Sequence, residues 1–206
     1  MMDQRLTGTE GKSAEQLCAE KRQRVDDVIA LKEPDRVPFY FSSRFWTARQ
    51  AGMTCEEAMY DAKGLSAATK PMILEFQPDL YQIPHTQVAV GPQLEALGFN
   101  AVQWPGHGVD PDVSFQYIDQ EFMSADEYDD YLFDPTGFFL RKYLPRIADG
   151  LQPLAKLPDI PAYYHTRIVA GGRYFADPEV RQALATLGQV GDVQEEASAE
   201  ANRFIA

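Results

Sequence analysis

Cysteine is scarce in this chain: Cys18 and Cys55 are the only two among 206 residues. Neither lies in a CxxC pair, which excludes a disulfide framework or a cysteine-rich zinc site. Histidine is nearly as rare, at three residues, and no two of them stand at metal-ligand spacing. Long hydrophobic runs are missing as well. No stretch approaches the roughly 20 apolar residues that cross a bilayer, and the N-terminus has no signal-peptide core. Positive charge is in deficit. Nineteen Lys and Arg face 31 Asp and Glu, a formal net charge of -12. That balance argues against a nucleic-acid backbone or an anionic membrane surface as partner. Internal repeats and low-complexity tracts are also absent. The expected setting is a reducing, cytoplasmic one.

What is present suffices for a packed core. The chain is 45% hydrophobic and 24% charged, the profile of a globular domain. The stretch that organises it is Arg36-Val37-Pro38-Phe39-Tyr40-Phe41-Ser42-Ser43-Arg44-Phe45-Trp46. Pro38 sits where a strand tolerates a missing N–H. The following run is apolar on consecutive residues, as in a strand buried on both faces. In parallel α/β folds function gathers at the C-terminal ends of strands. Ser42 to Trp46 are therefore expected at the mouth of a barrel.

Residues 1–12 are polar and are expected to be a disordered tail. Ser13 and Gln16 form a capping box that opens a helix over about 14–32. Thr54 and Glu57 form a second box, for a short helix to about Ala62, and another helix spans about 64–75. A short strand over 78–85 completes a βαβ-type unit. Gln93–Gly98 reads as a helix closed by glycine. Phe99–Trp104 and Val113–Ile118 read as a hairpin decorating the barrel mouth. Ser124 with Glu127, and then Asp134-Pro135, open two further helices, the second stopping near Pro145. Residues 151–176, rich in proline and aromatics, read as an irregular excursion or lid. A helix from Asp177-Pro178 is expected to stop at Gly188, and a last one to be capped by Asp192.

Glu33-Pro34-Asp35-Arg36-Val37-Pro38, Leu94-Glu95-Ala96-Leu97-Gly98 before the hairpin, Met123–Leu132, and Asp134-Pro135 together resemble the uroporphyrinogen decarboxylase family over roughly residues 15–150. That family includes porphyrinogen decarboxylases and methyltransferases that use corrinoids or thiols. The resemblance implies a TIM (β/α)8 barrel with its active site at the C-terminal mouth. Such a barrel typically takes about 250 residues. The expected fold class is therefore α/β, an incomplete barrel representing the N-terminal half of a longer enzyme, with helical and hairpin insertions over 13–206. The decarboxylases' Arg-Gln-Ala-Gly-Arg motif is replaced after strand one by Ser42-Ser43-Arg44-Phe45. Arg49-Gln50-Ala51-Gly52 has the letters further on, but Met53 stands for the second arginine. Their aspartate at the end of strand two is matched by Ile83-Pro84-His85-Thr86-Gln87, with no carboxylate. The resemblance thus favours methyl transfer over uroporphyrinogen decarboxylation itself. Zinc or a corrinoid would belong to a full-length protein rather than to this segment. A corrinoid protein or a second copy of the chain are the implied macromolecular partners, beside a small-molecule substrate. A non-catalytic scaffold acting through oligomerisation is the alternative.

Within that frame His85, after strand two, is the candidate catalytic residue, as metal ligand, proton donor or substrate contact, against a hydrogen-bonded loop histidine. Arg44 is the candidate clamp for a substrate carboxylate or phosphate; a surface salt bridge is the plainer reading. Ser42, Tyr40 and Trp46 would line the pocket, against ordinary aromatic packing. His107, between Gly106 and Gly108, could meet the substrate or merely shape a turn. His165 reads as structural. The acidic run Asp126, Glu127, Asp129, Asp130 reads as a solvated helix face.

Overall fold

The structure is a computed structural model that describes residues 11–83, 88–159 and 163–205, with backbone alone at 204 and 205. It is an α/β arrangement of helices around two small sheets. Of the N-terminal tail only Gly11 and Lys12 fall within the described residues, and Lys12 pairs with Glu20 at 2.7 Å.

Helix α1 (Ala14–Ile29) opens on the capping box of Ser13 and Gln16, as the sequence implies. The chain then turns through Pro34 into β1 (Tyr40–Phe41). The crossover comprises α2 (Trp46–Gln50), α3 (Cys55–Tyr60) and α4 (Ala62–Phe76). Thr54 and Glu57 cap α3 reciprocally. Strand β2 (Leu80–Tyr81) returns parallel to β1, with Tyr40 opposite Leu80 and Phe41 opposite Tyr81. The βαβ connection is therefore present, in strands far shorter than the sequence suggests.

Burial of β1 on both faces is not what the structure shows. Phe41 is buried against Phe76 and Trp46, with ring centroids 5.6 and 6.2 Å away. Tyr40 remains 53% exposed and Val37, just upstream, 83% exposed. Successive side chains of a strand point to opposite faces. Phe41 packs on the crossover helices, whereas Tyr40 and its register partner Leu80 stay half exposed.

Helix α5 (Gly91–Leu97) ends on Gly98 in the left-handed region. The three-stranded sheet has the order β4-β3-β5. Its strands are β3 (Val102–Pro105), β4 (Gly108–Val109) and β5 (Gln116–Tyr117), and β5 runs antiparallel to β3. A 3-10 turn (Ala125–Glu127) leads into α6 (Tyr128–Phe133). From Pro135 the chain stays helical as α7 (Pro135–Phe138), a π-type segment (Phe139–Tyr143) and α8 (Leu144–Ile147). The run ends at Ile147, two residues past Pro145, near where the sequence places its stop.

The lid expected at 151–176 is largely helical. A 3-10 segment (Asp149–Lys156) buries Leu151 and Leu154, and α9 spans Arg167–Ala176. The two helices expected at the C-terminal end are one, α10 (Pro178–Ile205). Gly188 has nothing within 4 Å of where a Cβ would be, and it lies inside the helix. Burial of Val180, Ala183, Thr186 and Ala201 outweighs the weak helix propensity of a glycine.

Two apolar clusters result. Phe45, Ala48, Cys55, Met59, Leu65, Val88 and Trp104 join the crossover helices to the second sheet. Ala148, Leu151, Leu154, Val180 and Ala183 join the 3-10 segment to α10.

Candidate functional site

The parallel strands are set by a knot of charge at their N-terminal ends. The Asp79 carboxylate is fully buried. It accepts from the guanidinium of Arg24 on α1, from Arg36 at 2.5 and 2.8 Å, and from the Phe39 amide at 2.7 Å. Arg24, itself buried, also grips Asp35 through two bonds of 2.6 and 2.7 Å. Burial works against the charge on Asp79. The Phe39 amide and the two guanidiniums outweigh it and hold the carboxyl below its ordinary range. The Arg24 guanidinium draws Asp35 down to about 2. Asp35 and Arg36, part of the stretch that carries the family resemblance, thus fasten α1 to both strands.

At the opposite ends of the strands the chain presents polar groups. Ser42 Oγ donates to Gln82 Oε1 across the pair at 2.7 Å. Arg44 follows with φ of 44°, in the left-handed region, a conformation uncommon for a residue with a side chain. It is exposed and forms no hydrogen bond or ion pair among the described residues. Beside it is an open pocket of about 350 Å3 lined by Phe39, Phe41, Ser42, Ser43, Trp46 and Phe76. The structure therefore brings Ser42 and Trp46 to one pocket, with Arg44 in the loop between its lining residues. Tyr40 is not among the pocket's walls; strand alternation turns it to the other face of the sheet. His85 lies outside the described residues.

His107 has a separate environment. Its Nε2 lies 2.8 Å from Glu95 Oε1 and 2.9 Å from Tyr60 Oη. Tyr60 donates to the same carboxylate oxygen at 2.9 Å and accepts from the Trp104 indole at 3.4 Å. The imidazole stacks on Trp104, centroids 4.8 Å apart. Burial and the Glu95 carboxylate push the Tyr60 phenol up, against the Trp104 bond, so it stays a neutral donor. Gly106 holds φ of 78°, and a Cβ there would fall 2.2 Å from a Glu56 carboxylate oxygen. The turn thus delivers His107 to a carboxylate and a phenol, a set through which a proton can pass. Glu95, Tyr60 and Gln82 escape the sequence reading. Tyr60 lies 47 positions from His107 and 35 from Glu95, and no periodicity links such residues.

Among the described residues no group of three or more His, Cys, Asp or Glu is gathered to hold a metal ion. Cys18 is exposed on α1 and Cys55 is buried. Among the described residues no helix is long and apolar enough to cross a membrane. The chain matches no protein-family model, and searches of curated proteins and of solved structures return no match either.

Proposed function

We propose that this chain is the substrate-binding front part of an α/β enzyme of the uroporphyrinogen decarboxylase and methyltransferase type, built on an incomplete (β/α)8 barrel. The ligand is a small molecule with an apolar body and an anionic group. One observation carries the reading: an unpaired arginine in a left-handed conformation directly after a parallel strand, beside an aromatic pocket. Backbone strain of this kind persists where the surroundings impose it, and it clusters at ligand sites. Arg44 supplies the fork for a carboxylate or phosphate, Trp46 and the Phe rings take the apolar part, and the Ser42 and Ser43 hydroxyls orient it. Methyl transfer suits this site better than decarboxylation of a porphyrinogen with many carboxylates, which needs several arginines. Only Arg44 stands unpaired in the loop after β1.

The test is calorimetric titration of the protein with two probes, a carboxylated pyrrole such as porphobilinogen and methylcobalamin. Loss of a charged hydrogen bond costs about 1.5–3 kcal/mol. Arg44→Ala is therefore expected to weaken binding of the carboxylated probe by at least about tenfold, with the circular dichroism unchanged. Absence of binding by either probe, or binding indifferent to Arg44→Ala and Trp46→Ala, removes the proposal.

A further inference from the structure

Two fully buried threonines connect the pocket beside Arg44 to the interior. Thr47 on α2 and Thr69 on α4 are both 0% exposed. Valine would fill much the same space and bring no polar atom to satisfy. The threonine hydroxyls instead form a row. Ser43 Oγ, in the pocket wall, lies 3.3 Å from Thr47 Oγ1. Thr47 Oγ1 lies 3.3 Å from Thr69 Oγ1, and Thr69 Oγ1 lies 2.8 Å from the Leu65 carbonyl oxygen.

The row has a direction. Each hydroxyl carries a single proton, and the Leu65 carbonyl can only accept, so Thr69 donates to Leu65. One arrangement then puts a proton in every contact: Thr47 donates to Thr69, and Ser43 donates to Thr47. The Ser43 proton is thus spent inward, toward the core. The neighbouring hydroxyl is spent as well, because Ser42 Oγ donates to Gln82 Oε1 at 2.7 Å. Both serines are left with lone pairs for the pocket. Arg44, which follows them in the chain, is a pure donor.

We propose that the ligand carries a hydrogen-bond donor close to its anionic group, as a hydroxy acid with an apolar body does. The anion goes to Arg44 and the ligand hydroxyl donates to Ser43. Phe41, Trp46 and Phe76, in the pocket wall, take the apolar part. A ligand with only an acceptor in that position sets lone pair against lone pair and leaves the serine oxygen without a partner. Thr47 touches no ligand. It is a positioning residue, which fixes where the Ser43 proton points. The inference rests on the proposed Arg44 site and adds to it the chemistry of the group beside the anion.

Calorimetric titration of the full chain with three probes tests it. The probes are 3-phenyllactate, its O-methyl ether and 3-phenylpropanoate, which carry a donor, an acceptor alone and neither group at the same carbon. Phenyllactate is expected to bind at least about fivefold tighter than the ether and the deoxy acid. Thr47→Val frees the Ser43 proton to face the pocket, and the preference for phenyllactate over the ether is expected to fall to about twofold or less. Thr47→Ser restores the hydroxyl and with it the preference. The wild-type comparison decides by itself if Thr47→Val fails to fold. Equal binding of the three probes, a tighter ether, or a preference that a folded Thr47→Val keeps overturns the inference; the pocket then still stands as long as Arg44→Ala weakens all three. Failure of every probe to bind, or binding indifferent to Arg44→Ala, removes the pocket reading and this inference with it.

Discussion

At the scale of single residues, backbone conformation separates two kinds of position. Gly106 occupies the left-handed region in the turn that carries His107, and any L side chain there costs roughly 1–2 kcal/mol. Glu95 bonds His107 and Tyr60 but is half exposed, so its contribution is that of an ordinary solvent-facing hydrogen bond. In urea unfolding Gly106→Ala is expected to cost about 1–2 kcal/mol, and Glu95→Ala less than about 1 kcal/mol. Equal costs for the two would mean that the carboxylate, rather than the turn, holds the hairpin. Arg44 is the counter-example to Gly106, a left-handed residue that keeps its side chain. It stands in a local turn, closed by the Trp46 amide donating to the Ser43 carbonyl at 2.8 Å, a place where glycine or asparagine is the usual residue. The sequence did mark Arg44 and His107 as residues of interest. Their surroundings are another matter, since Gln82, Glu95 and Tyr60 reach them from other elements.

At the scale of elements, local signals were read well wherever the physics is local. Both capping boxes, Ser13 with Gln16 and Thr54 with Glu57, lie within four residues and form as written. The helix stop expected at Gly188 fails because a single glycine weighs less than the buried stripe of α10. Gly188 and Gly191 both face open space. Replacing either with alanine is therefore expected to stabilise the protein by roughly 0.5–1 kcal/mol, read as a rise in the urea midpoint at constant m-value. A loss of stability would show that the two glycines mark a genuine interruption of α10. The short strands teach the reverse lesson. The apolar run from Val37 to Phe41 promised burial on both faces, but pairing extends over two residues and Tyr40 stays half exposed.

At the scale of the whole molecule, the Arg24, Asp35, Arg36 and Asp79 knot joins α1 to both parallel strands. Asp35 is held at about 2 in the folded state, below its unfolded value of about 3.9. Its contribution is thus complete above that unfolded value and is lost as pH falls through about 2. Asp79, also lowered, acts in the same direction. Stability should therefore decline on acidification below about pH 4. Arg24→Met removes one partner of a buried pair and leaves Asp79 with Arg36 and the Phe39 amide. The expected cost at neutral pH is of the order of 3 kcal/mol, with a shallower fall in acid. Denaturant titrations at neutral and acid pH check both; an unchanged acid slope would mean that other carboxylates govern it. By itself the sequence determined the α/β character and the capped helices, because composition, periodicity and caps act over a few neighbouring residues. Only the tertiary structure decided that Arg24 and Asp79, 55 residues apart, form one knot, that Tyr40 turns from the pocket, and that Tyr40 and Leu80 stay half exposed. Those outcomes depend on which distant surfaces exclude water from each other, and that free energy belongs to the assembled chain rather than to any segment of it.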